Sequence, residues 1–219
     1  MTTALRTVFR WARRRASSVM FERRYGVRTG GRIDLDEYGL AAADRSYYIA
    51  SGWRNLRVVF RGQRIAVDDV FLDLGSGMGR MVLEAARLPF RRVIGVELAE
   101  DLHRIAEANV ASYRGRLKCR NIELVHSDVL DYDIPDDVTY VYMFSPFGGA
   151  VFTAVLEKLL ASLDRHPRSM RLIYAHPSEE RQLLASGRVR RIDEIAIGHG
   201  APTLAQTIRI YDFNAGPPS

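Results

Sequence analysis

Eleven residues constrain this chain more than any others: Val70-Phe71-Leu72-Asp73-Leu74-Gly75-Ser76-Gly77-Met78-Gly79-Arg80. Val70 to Leu74 is an apolar run broken by a single acid, the pattern of a buried parallel strand. Three glycines at alternate positions follow, and Met81, Val82, Ala85 and Ala86 then recur at helical spacing. A strand, a glycine-rich turn and a helix in that order make a nucleotide-type cradle. Glycine lets a ligand approach the backbone closely, and the helix start offers unpaired N–H groups. A dinucleotide fold places its third glycine three residues after the second, and here that place is Arg80.

The pattern Asp73-x-Gly75-x-Gly77-x-Gly79 resembles the first motif of class I methyltransferases that use S-adenosylmethionine (SAM). The glycine loop and its strand also look like those of non-SET histone-lysine methyltransferases, although nothing else in the chain carries that substrate over. The resemblance to the class I family covers about residues 65–213. It implies an α/β, Rossmann-like fold: a seven-stranded, mostly parallel sheet of order 3-2-1-4-5-7-6, with helices on both faces and a helical N-terminal cap. It implies SAM as cofactor, held by Asp73, Gly75, Ser76, Gly77 and Gly79.

The rest of the chain supplies the remaining elements. Arg92 to Glu97 reads as a second buried strand, and Glu97 lies 22 residues beyond Gly75, close to where this fold places a carboxylate on a ribose. Leu98 follows it as a further cofactor contact. Asn121 to Val125 reads as a third strand; by resemblance Asp128, with Val129 beside it, takes the adenine amino group. Val138 to Phe144 is the fourth strand, ending in Ser145-Pro146-Phe147-Gly148, similar to the Asn/Asp/Ser-Pro-Pro-aromatic motif of amino-group methyltransferases but lacking one proline. Ser145 is expected to hold the nucleophile and Phe147 to stack on it. His176 ends strand five, Arg171 to Ala175, and is a candidate general base. Arg188 to Ile197 and Thr203 to Tyr211 read as a terminal hairpin. His103 is expected to be a surface residue, His126 structural, His199 a non-catalytic turn residue and Cys119 inert, and no metal-ligand cluster is expected.

Charge divides the chain. Residues 1–64 hold 14 arginines against five acids, net +9, whereas residues 65–219 are net −3. Hence the expected organisation is a basic helical extension and cap over 1–64 and a SAM-binding domain over 65–219. Residues 1–25 read as an amphipathic basic helix, dispensable for the cofactor. Ser51 is expected to cap a helix bearing Trp53, Leu56, Val59 and Phe60, with Tyr48, Ser51 and Trp53 near the methionine end of SAM by analogy. No apolar run approaches the roughly 20 residues that span a bilayer, and a single cysteine fits a reducing, cytoplasmic setting. The expected activity is in-line methyl transfer to an O or N nucleophile, with a small molecule favoured as acceptor. RNA or a protein lysine is the alternative acceptor, reached through the basic extension. The rivals are a non-catalytic protein of the same fold that binds nucleic acid or a partner, and an NAD-dependent oxidoreductase. Oligomeric state is left open.

Overall fold

The computed structural model describes residues 19–30, 32–33, 48–49, 51–53, 55–197 and 206–213. Residues 1–18 of the basic helix expected over 1–25, the side chain of Tyr48, and His199 with its turn lie outside the described residues. In chain order the elements are helical residues 19–25 (α1), β1 (Arg32–Ile33), β2 (Tyr48–Ile49), α2 (Asn55–Val59), β3 (Val70–Leu74), α3 (Arg80–Ala86) and β4 (Arg92–Glu97). Then follow α4 (Glu100–Ser112), β5 (Ile122–His126), β6 (Tyr140–Phe144), α5 (Gly149–Arg165), β7 (Met170–Ala175), α6 (Glu180–Ala185), β8 (Val189–Ile197) and β9 (Gln206–Phe213).

Seven strands form one sheet of order β5-β4-β3-β6-β7-β9-β8, which is 3-2-1-4-5-7-6 counted from β3. Pairing is parallel from β5 to β7, and β9 runs antiparallel to both β7 and β8. The short β1 and β2 pair separately. Every residue of β3 is buried, as an apolar run predicts for a strand covered on both faces.

Alternation along β3 sorts the two cores. Val70, Leu72 and Leu74 face the α5 side, packed with Phe152, Val155 and Leu159. Phe71 faces the α3 side, with Met81, Val82, Ala85 and the α2 residues Leu56 and Val59. Asp73 shares the parity of Phe71, so a carboxylate belongs to an otherwise apolar face. Its register partners are Gly95 on β4 and Tyr142 on β6. Gly95 permits α3 to sit close, since a Cβ there would stand 2.6 Å from Val82.

Candidate cofactor and acceptor site

The ends of β3, β4 and β6 are brought together by the glycine loop. The chain leaves β3 through Gly75, Gly77 and Gly79, with φ of 76°, 54° and 79°, a region costly for other residues. The N–H groups of Gly75 and Ser76 both donate to the Val96 carbonyl at 2.9 Å, which folds the loop back over the end of β4. Glycine at two of these positions serves packing rather than ligand clearance. A Cβ on Gly75 would meet Pro146 at 2.5 Å, and one on Gly79 would meet Ala106 at 3.1 Å. Ser76 is buried and turns its side chain toward Gly95.

Two carboxylates stand beside this loop. Glu97 accepts the N–H of Gly77 at 2.7 Å on one oxygen and that of Ala99 at 2.9 Å on the other. A carboxylate has about four lone-pair sites, and the Leu98 N–H also bears on Glu97, so room remains for a further donor. Burial pushes Glu97 above the usual carboxylate range, and the backbone N–H groups partly oppose it. Asp73 is only 2% exposed, and its Oδ2 has no hydrogen-bond partner. Burial, reinforced by the charge of Glu97, raises its pKa well above normal. A buried acceptor without a donor is unfavourable unless something arrives to satisfy it.

The residues expected on the adenine side follow the ends of β4 and β5. Asp128 is half-buried, and its Oδ1 accepts the Leu130 N–H at 3.0 Å. Leu98 is half-buried, and the His126 ring bonds its carbonyl at 2.9 Å, so His126 ties β5 to this turn. Val129 packs on the α5-side core.

Several expectations are corrected. Ser51 does not cap α2: its hydroxyl bonds the Tyr142 hydroxyl at 2.7 Å, and its carbonyl accepts Arg80 Nη1 at 2.7 Å. Phe147 is 6% exposed and packs in the α5-side core, so its ring is not free to stack on an acceptor. The Ser145 hydroxyl donates to the His176 carbonyl rather than to its ring, so no serine–imidazole pair exists here. Both residues have left-handed backbones, φ 38° and 53°, at the ends of adjacent strands, and such strain clusters at functional sites. Ser178 lies 3.3 Å from Ser145 Oγ and 3.4 Å from the Tyr174 hydroxyl, making a hydroxyl-lined rim. Trp53 stacks on Phe21 at 3.9 Å and lies under the Arg80 guanidinium, while its Nε1 is buried without a partner.

Residues 1–25 are expected to be dispensable for the cofactor, yet Glu22 from that stretch, with Arg28 and Thr29 just after it, is held against the residues of the glycine loop. Arg80 reaches Glu22 and Thr29, and Asn109 of α4 bonds both Arg28 and Met78. These two polar residues were missed. Asn109 falls on the apolar stripe of α4 between Ala106 and Tyr113, and an amide on a buried stripe is a readable signal.

Residues 51–138 match the family model described as Histone methylation protein DOT1. No curated protein sequence matches the chain. An RNA methyltransferase from Salinibacter ruber, solved with S-adenosyl-L-homocysteine, is similar with TM-score 0.51 and 20% identity, over 78% of this chain and 97% of its own. Precorrin 8W decarboxylase from Methanobacterium thermoautotrophicum aligns with TM-score 0.52 and 19% identity, over 77% of this chain and 92% of its own. The YcgJ protein from Bacillus subtilis aligns with TM-score 0.55 and 12% identity, over 74% of this chain and 98% of its own.

Proposed function

We propose that this chain, which has the fold of the class I SAM-dependent methyltransferases, binds SAM across the ends of β3 and β4 and methylates an O or N nucleophile at the end of β6. The observation that carries the proposal is Asp73, a buried carboxylate whose Oδ2 lacks a partner beside the glycine loop. A second acid, Glu97, stands close enough to raise the pKa of Asp73, so the site favours a cationic ligand.

When bound, SAM supplies a methyl group on a sulfonium, whose departure needs no acid. The residues of this chain would bind and orient. Asp73 would accept from the ligand ammonium, Glu97 from the ribose hydroxyls, and Asp128 from the adenine amino group. Tyr48, Ser51 and Trp53 would cover the methionine end, and Trp53 Nε1 is a donor in want of an acceptor. Ser145 and His176, at adjacent strand ends, would hold the nucleophile near the methyl group. Positioning in near-attack geometry can lower the barrier by several kcal/mol, roughly 7–11 in the best-oriented cases.

A small molecule is the favoured acceptor. The described part of the N-terminal segment is spent on covering the glycine loop, and the rim offers a few hydroxyls rather than a broad surface. RNA is the second candidate, favoured by one observation. Arg23, Arg24, Arg28, Arg114, Arg116 and Arg120 are exposed and form no ion pair among the described residues, while Arg91, Arg92, Arg188 and Arg209 are all paired. Calorimetry tests the cofactor: SAM and S-adenosylhomocysteine should bind and NAD should not, the reverse result overturning the proposal. Turnover of SAM against metabolite and RNA panels, read by mass spectrometry, tests the acceptor. Methylation of folded RNA and of no metabolite would replace the small-molecule assignment.

A further inference from the structure

We propose that Arg80 and Asn109 are positioning residues that clamp residues 22–30 onto the glycine loop, so that docking of this segment and binding of the cofactor form one coupled equilibrium. The inference rests on the SAM-binding function proposed above.

Arg80 is the first residue of α3, directly after Gly79, and is only 6% exposed. Its guanidinium turns away from the sheet toward the N-terminal segment. Nη2 bonds Glu22 Oε1 at 2.8 Å, Nε bonds Thr29 Oγ1 at 2.9 Å, and Nη1 bonds the Ser51 carbonyl at 2.7 Å. The cation also stands 4.9 Å from the Trp53 ring centroid. Glu22 Oε1 accepts the Thr29 hydroxyl as well, at 3.0 Å, so the segment closes on itself around the guanidinium. A buried charge stripped of its counter-ion is strongly unfavourable. The Gly79–Arg80 junction therefore depends on the segment being in place.

Asn109 holds the neighbouring turn of the loop. Its Nδ2 donates to the Met78 carbonyl and to the Arg28 carbonyl, each at 2.9 Å, while its Oδ1 accepts the Arg28 N–H at 2.7 Å. The side chain is 4% exposed. Two buried polar groups thus fasten residues 28 and 29 to Met78 and Arg80, on either side of Gly79. Between them they constrain the turn that follows Gly77, whose N–H is already committed to Glu97. A ligand that prefers the clamped loop must, by linkage, stabilise the docked segment to the same degree.

The experiment has two arms. In the first, S-adenosylhomocysteine binding is measured by calorimetry on the wild-type chain, Arg80→Gln, Glu22→Gln, Asn109→Ala and the Arg80→Gln/Glu22→Gln double variant, with thermal melts alongside. Arg80→Gln and Asn109→Ala should each weaken binding at least tenfold, and the double variant no further than Arg80→Gln alone. In the second arm, trypsin cleavage after Arg23, Arg24 and Arg28 of the wild-type chain is timed with and without saturating S-adenosylhomocysteine. Protection of fivefold or more is expected, and this arm needs no variant to fold. Folded variants binding within twofold of wild type, or cleavage indifferent to the ligand, would overturn the clamp alone. A wild-type chain that does not bind S-adenosylhomocysteine would sink both the clamp and the cofactor assignment.

Discussion

Gly75 lies directly against Pro146: a Cβ on Gly75 would come within 2.5 Å of the proline Cβ. This contact joins the glycine loop after β3 to the Ser145-Pro146 turn after β6, two segments about 70 residues apart in the chain. The glycine loop and the candidate acceptor rim are therefore one packed unit.

Gly75→Ala should damage both. Its φ of 76° costs a side chain roughly 1–2 kcal/mol, and the methyl group must also displace Pro146. We expect a lower Tm together with weaker S-adenosylhomocysteine binding. A variant that melts and binds like the wild type would mean that the Gly75–Pro146 contact does not form.

Asp73→Asn should stabilise the ligand-free protein while weakening cofactor binding. The folded-state pKa of Asp73 is raised, so the folded chain binds more protons than the unfolded one. Stability then falls as pH rises from the ordinary carboxylate pKa toward the raised value. The advantage of the amide variant should accordingly be present at neutral pH and shrink as pH drops toward about 4. For a chain this size, about 1 kcal/mol moves Tm by roughly 2–4 °C. Melts across pH with and without S-adenosylhomocysteine check this, and an Asp73→Asn protein less stable than wild type at neutral pH would contradict it.

Phe147→Ala should act on the core rather than on the acceptor. A buried phenylalanine truncated to alanine typically loses about 3–5 kcal/mol, and Phe147 is packed with that side of the sheet. Denaturant unfolding should show the loss directly. An unchanged midpoint with reduced turnover would restore a role on the acceptor.

Ser145→Ala should lower turnover and leave S-adenosylhomocysteine affinity unchanged, because its hydroxyl contacts the His176 carbonyl and the Ser178 rim rather than the glycine loop. Ser145→Gly relieves the positive φ yet removes the same hydroxyl, so it should lose turnover comparably. Full activity in the glycine variant would assign the position to backbone shape alone.

Glu97→Ala should weaken S-adenosylhomocysteine by at least the roughly 1.5–3 kcal/mol of a hydrogen bond to a charged group. It removes the acceptor for Gly77 and Ala99 as well as the proposed ribose contact. Equal affinity in calorimetry would take Glu97 out of the site.

The sheet was legible from the chain because strand signals are local. Val70–Leu74 and Arg92–Glu97 have the expected bounds, and the order 3-2-1-4-5-7-6 agrees with the resemblance carried by Asp73, Gly75, Gly77 and Gly79. Side-chain roles were less legible. Phe147 carries the same letters whether it faces a ligand or a core, and Ser51 whether it caps a helix or bonds Tyr142. Sequence alone determined the strand–loop–helix unit and its two carboxylates, since apolar period and glycine spacing are written within about 30 residues, the span of a βαβ unit. Only the tertiary structure decided that Arg80 and Asn109 bind the N-terminal segment to that loop and that Asp73 is left without a donor. A buried polar group is satisfied or stranded by partners distant in the chain, and folding alone brings those partners within hydrogen-bond reach.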